Sequence, residues 1–204
     1  MGRERFIENN VIRNRESIFG AGDVPFIRRS RIGLGFGVAD LVLLPTNGNY
    51  RMIIVEAKQG SSGDAKSKVI GQLLMYYAGA LRLGYTGLRQ MRSYAAENVR
   101  SARSLRPVSL SMLNGGVGSR TEAWRSLCRG RRLLPKRIAL YAAFDAEPES
   151  SLKSALGELS THHGLSIGVI SVLGADDISI WRPGPATNSS TEVLIGRLKG
   201  RRRH

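Results

Sequence analysis

The chain has 204 residues, of which 42% are hydrophobic but only 6% aromatic, and its formal net charge is +15. That length fits one domain, with a long insertion or small second lobe, built on a mostly aliphatic core. No apolar run reaches the ~18–20 residues of a membrane helix, the one cysteine, Cys128, excludes an internal disulfide, and the opening MGRERFIENN places charges where a secretory signal needs its apolar stretch. A reducing cytoplasm is the expected compartment.

The charge is uneven. Between residues 61 and 140, fifteen Lys and Arg face three Asp and Glu, whereas residues 141–204 carry seven of each. A basic middle of that kind attracts a polyanion, most simply nucleic acid. An arginine-rich coding bias explains Arg over Lys, but not the shortage of acids.

In chain order, residues 3–19 have apolar positions at Phe6, Ile7, Val11, Ile12, Ile18 and Phe19, a helical spacing in the first half. FGAGDVP breaks that helix, and FIRRSRIGLGFG reads as a short irregular strand. VADLVLLP and YRMIIVEAK are strands, and Asn47-Gly48 between them is a hairpin signal. After the polar loop QGSSGDAKSK, a helix is expected from Lys68 to Leu83 with Val69, Leu73, Leu74, Tyr77 and Leu81 on its inner side and Gly84 as its stop. A second, basic helix covers 88–105, a loop 114–120, and a short helix 121–130. RIALYAAF, LSIGVISVL and DISIWR are further strands, with a helix over 151–163 before Gly164. Residues 1–185 are expected to form one domain in which 85–135 is a basic, mostly helical insertion. Residues 186–204 read as a basic, flexible tail. Alternating strands and helices with an early hairpin make an α/β fold: a mixed β-sheet core flanked by helices.

The apolar strand IIVEAK ends in two opposite charges. Ile54, Glu56 and Lys58 share one face of it. If the hairpin is centred near Gly48, paired residue numbers sum to about 96, which sets Glu56 opposite Asp40. Two carboxylates that close repel unless a cation joins them. Their hard oxygens suit Mg²⁺ or Mn²⁺, and no His or Cys set suits zinc. Such a cation would acidify a water and neutralise charge on a phosphate, while a lysine beside it orients that water. The triad of Asp40, Glu56 and Lys58 thus points to phosphodiester hydrolysis. Taken alone, Glu-x-Lys is as readily an exposed ion pair.

The order Asp, hairpin, Glu-x-Lys resembles the signature of the PD-(D/E)xK nuclease superfamily, whose core is the restriction-endonuclease-like sheet. GVAD (Gly37–Asp40) is similar to the family's Gly-x-x-Asp, and QLLMY (Gln72–Tyr76) to the Gln-x-x-x-Tyr of its RecB-like branch. Residues 4–80 most resemble the catalytic domain of NucS-type endonucleases. The literal Pro-Asp of the superfamily name is Ala39-Asp40 here.

The resemblance implies that Asp40, Glu56 and the Ala57 carbonyl bind the metal, Mg²⁺ or else Mn²⁺, and that Lys58 is the catalytic lysine. Gln72 would hold the water or a phosphate, with Tyr76 supporting it. An acid of the first helix would complete the site, Glu8 first and Glu4, one turn away, as the alternative. The function implied is a metal-dependent DNA endonuclease, in repair or defence. A non-cleaving nucleic-acid-binding module on the same fold and a nuclease toxin or defence effector are the rivals. By analogy a homodimer fits, as does a partner protein that supplies specificity.

Two arginine clusters are candidate DNA-backbone contacts: Arg28, Arg29 and Arg31 before the Asp40 strand, and Arg129, Arg131, Arg132, Lys136 and Arg137. Each is otherwise a solvated surface.

Overall fold

A computed structural model describes residues 2–20, 24–32, 36–60, 65–101, 122, 125 and 128–184. In chain order its elements are helix α1 (Arg3–Phe19), strands β1 (Phe26–Arg31), β2 (Val38–Leu43) and β3 (Met52–Lys58), helices α2 (Ala65–Arg82) and α3 (Tyr85–Ser101), strand β4 (Ile138–Phe144), helix α4 (Ser150–His163), and strands β5 (Ser166–Val172) and β6 (Ile178–Trp181). A single 3-10 turn, Pro135–Arg137, leads into β4.

The six strands form one sheet in sequence order, β1-β2-β3-β4-β5-β6. β1, β2 and β3 are an antiparallel meander. β3, β4 and β5 run parallel, and β6 returns antiparallel. The parallel pairs require crossovers, which α2–α3 and α4 supply. The expected mixed α/β sheet is therefore present.

Strand β3 shows how the sheet is held. Met52 and Ile54 face the core shared with α2, α3 and α4. Ile53, Val55 and Ala57 face a second core packed on Ile7, Val11 and Ile18 of α1. Buried on both faces, the strand reads as an unbroken apolar run. Each fully buried aliphatic side chain contributes about 1.5–3 kcal/mol before the entropy of ordering is subtracted.

The α2 stripe differs in detail from expectation. Val69, Leu73, Tyr76, Gly79 and Ala80 are its buried residues among those described, while Leu74, Tyr77 and Leu81 are only half-buried against the same core. The stripe is rotated by about one residue, so Tyr76 and not Tyr77 enters the interior. Its hydroxyl finds a partner there, as buried tyrosines require. The expected loop over 114–120, half of the short helix at 121–130 and the tail lie outside the described residues. Of the proposed insertion, α3 and residues 122, 125 and 128–135 are described. Among the described residues no helix is long and apolar enough to cross a membrane.

Candidate active site

The hairpin register is Leu41↔Val55, Val42↔Ile54 and Leu43↔Ile53. Each pair sums to 96, so the next position along the ladder joins Asp40 to Glu56. There the side chains take over from the backbone. The Asp40 amide donates to Glu56 Oε2 at 3.4 Å, and the Ala57 amide donates to Asp40 Oδ2 at 3.0 Å. Each carboxylate is anchored by an amide of the other strand. Lys58 Nζ donates to Glu56 Oε1 at 2.8 Å. The three side chains stand at the carboxyl end of β3, on the α2 face of the sheet.

Glu56 is 1% exposed. Burial, then the negative charge of Asp40, push its carboxyl up to about 7, against the downward pull of Lys58. Burial alone would lower the Lys58 ammonium. The hydrogen bond and charge of Glu56, with Asp40 and Glu4 behind them, outweigh it and hold Lys58 above its ordinary value. The pair of acids is thus short of positive charge even with Lys58 in place.

The two further motifs meet here as well. Gly37 has φ +87°, and a Cβ on it would lie 3.2 Å from Tyr76 Cε1. Glycine is needed both for the left-handed backbone and for the close approach of the ring. The Tyr76 hydroxyl donates to the Val38 carbonyl at 3.0 Å and accepts from Gln72 Nε2 at 3.4 Å. Burial first, then the charges of Glu56 and Asp40, raise the Tyr76 phenol above its ordinary value, so it stays protonated. Gly-x-x-Asp and Gln-x-x-x-Tyr are therefore two halves of one contact that fixes the start of β2, and with it Asp40.

Glu8 reaches the site from α1, on the opposite face of the sheet. It is 8% exposed and paired with Arg28 at 3.0 Å. Burial and the charge of Asp40 raise its carboxyl, while Arg28 and Arg29 oppose that rise. Arg28 also donates to Asn9. Glu4, the alternative, is exposed, and its charge is felt by Lys58. Among the described residues no three His, Cys, Asp or Glu side chains converge to hold a metal. Asp40 and Glu56 form a pair to which Glu8 is a neighbour.

The arginine candidates separate. Arg28 is occupied by α1, and Arg29 is exposed, with its charge felt by Glu8. Arg31 pairs with Val38 through the backbone, and its side chain lies outside the described residues. Arg129, Arg131, Arg132 and Lys136 are exposed, but at the other end of the sheet. Arg137 Nη1 donates to the Asn49 carbonyl in the β2–β3 turn. Ile138 pairs with Met52, four residues before Glu56, which sets this patch roughly 13 Å or more from the carboxylates along the strand. At the same far end a cavity of about 250 Å³ is lined by Tyr50, Tyr141, Ser166 and Arg182. It shares no residue with the carboxylate cluster.

One contributor was not read from the sequence. Asp145 follows β4, one position past Phe144, the partner of Lys58. It accepts the Gly60 amide at 2.7 Å and lies 3.7 Å from Arg3. A Cβ on Gly60 would meet Ala146 Cβ at 2.7 Å. Asp145 therefore pins the chain just after Lys58. Its signal was an acid at the carboxyl end of a parallel strand, where α/β sheets place their sites.

Compared with protein-family models, curated proteins and solved structures, the chain matches no family model, no curated protein and no solved structure.

Proposed function

We propose that the chain is a metal-dependent nuclease on a restriction-endonuclease-like core, of the PD-(D/E)xK type, that hydrolyses phosphodiester bonds in DNA. One observation carries the reading. Asp40 and Glu56 are locked together by reciprocal amide hydrogen bonds, with Lys58 2.8 Å from Glu56, at the carboxyl end of a central strand.

The donor set fits a hard divalent cation. Two carboxylates share one patch, and the buried one is driven up to about 7 by burial and by its neighbour, as expected of a group that awaits positive charge. Asp40 and Glu56 would hold Mg²⁺ or Mn²⁺, with the Ala57 carbonyl beside them. Mg²⁺ commonly takes one or two carboxylates and keeps several waters. When bound, the cation supplies a more acidic water and neutralises phosphate charge.

The chain's own residues do the rest. The Asp40 and Ala57 amides fix the two carboxylates. Lys58 orients the attacking water and stabilises the negative charge that develops on the phosphate. Gln72, one helical turn from Tyr76 and hydrogen-bonded to its hydroxyl, would contact the water or a phosphate oxygen. Tyr76, through Val38, holds the strand that carries Asp40.

The test is a substrate panel of plasmid, linear duplex, single strand, mismatched duplex and RNA, each with Mg²⁺, Mn²⁺ or EDTA, beside Asp40→Asn. Cutting that needs the cation and is lost in Asp40→Asn supports the reading, and the preferred substrate names the class. Salt-sensitive binding without cutting under any condition makes the chain a non-cleaving DNA-binding module instead.

A further inference from the structure

Arg29 has φ +49° and is the one non-glycine residue with positive φ among those described. For an L-residue inside a strand this costs about 1–3 kcal/mol. The sheet gains nothing from it. Arg28↔Leu41 and Ser30↔Ala39 flank the position in unbroken register, so no extra residue is accommodated as it would be in a bulge. A glycine would sit there at less cost. The reason for arginine must therefore lie in its side chain.

The flanking pairs Arg28↔Leu41 and Ser30↔Ala39 leave Arg29 and Asp40 as facing positions on neighbouring strands. Its neighbours' side chains are committed. Arg28 is tied to Glu8 and Asn9, and Ile27 is buried in the core under α2 and α3. Arg29 is exposed, and its positive charge is felt by Glu8. It makes no hydrogen bond or ion pair among the described residues. An exposed guanidinium whose charge reaches Glu8, the acid neighbouring the Asp40–Glu56 pair, has a natural ligand in a nuclease. That ligand is a backbone phosphate of the substrate, whose charge the acids would otherwise repel.

We propose that Arg29 is a substrate-positioning residue that grips the DNA phosphate next to the one cleaved, and that its left-handed backbone exists to present the guanidinium there. This rests on the nuclease reading above. It also separates Arg29 from Arg28, whose role is to hold Glu8, and from the distant patch around Arg132.

The experiment compares Arg29→Gly, Arg29→Lys and the parent, each also in a Lys58→Ala background so that binding is read without cleavage. Anisotropy of a labelled 20-base-pair duplex is followed across a KCl series. Losing one phosphate contact lowers the slope of log affinity against log salt by about 0.9, which weakens binding about eightfold at 0.1 M salt. Arg29→Gly is expected to show that loss, with a Tm equal to or above the parent's because the backbone strain is gone. Arg29→Lys is expected to keep the slope. Cleavage by Arg29→Gly should show a raised KM with the metal requirement unchanged. If Arg29→Gly moves Tm but leaves slope, affinity and KM at the parent's values, the strain is structural and the assignment is wrong. A parent that neither binds nor cuts DNA overturns the nuclease reading and this assignment together.

Discussion

Glu56→Gln should stabilise the metal-free protein by an amount that grows as pH rises from about 4.5 to about 7 and is constant above that. Folded Glu56 titrates at about 7, against 4.5 for the ordinary carboxyl. The folded state thus binds this proton more tightly than the unfolded chain does. The resulting stability is fully present below the unfolded value and is lost as pH rises through about 7. A gap of that size corresponds to about 3 kcal/mol at pH 8. For a chain of this length it amounts to about 6–12 °C in Tm. Glutamine has the same shape, still accepts from Lys58 Nζ, and carries no charge to repel Asp40. The assay is thermal unfolding in EDTA from pH 5 to 8, followed by circular dichroism. Extended down to pH 4, below the unfolded value, the two curves should coincide, with Glu56→Gln higher by several degrees at pH 8. Adding Mg²⁺ at pH 8 should raise the Tm of the wild type and leave Glu56→Gln in place. Parallel curves across the pH range, or a mutant that is less stable at pH 8, would refute the claim that burial and Asp40 strain this carboxylate.

Other positions give separate outcomes. Gly37→Ala forces an L-residue to φ +87° and its methyl to 3.2 Å from the Tyr76 ring. It should cost about 2–3 kcal/mol in urea denaturation, of which Tyr76→Ala would mask only the ring-contact part in a double mutant, because the left-handed backbone cost remains. Arg28→Ala leaves the buried Glu8 without its partner and raises the Glu8 carboxyl further, because Arg28 is what pulls it down. The loss should be about 3 kcal/mol at pH 8 and should shrink as pH falls and Glu8 takes up its proton. A loss that is flat with pH would mean the ion pair is not what Arg28 contributes.

Much of the site was legible because short-range rules determine it. Asn47-Gly48 marks the turn, and the two-residue period of a strand then places Asp40 against Glu56 and Lys58 on the same face. The spacing of Gln72 and Tyr76 put both on one side of α2. What escaped depends on long-range contacts. Asp145 meets Gly60 across 85 residues, and nothing local announces that hydrogen bond. The arginines of residues 28–31 look alike in sequence. Only the packing of α1 shows that Arg28 is occupied while Arg29 is exposed. The patch from Arg129 to Arg137 carries the densest charge, yet the parallel pairing of β3 with β4 sends it to the end of the sheet away from the carboxylates. The choice of Tyr76 over Tyr77 as the buried ring rests on Gly37, a partner in a different element.

In the proposed reaction Lys58 and the carboxylate pair cut a phosphodiester bond with a divalent cation. Single-turnover cleavage of supercoiled plasmid, with Mg²⁺ or with EDTA, by the wild type and by Lys58→Ala tests it most directly. The prediction is nicking that EDTA abolishes and that Lys58→Ala slows by about 10²–10³-fold, with the mutant folded and still bound to DNA. Cleavage that persists at the wild-type rate in Lys58→Ala, or that is indifferent to EDTA, would contradict it.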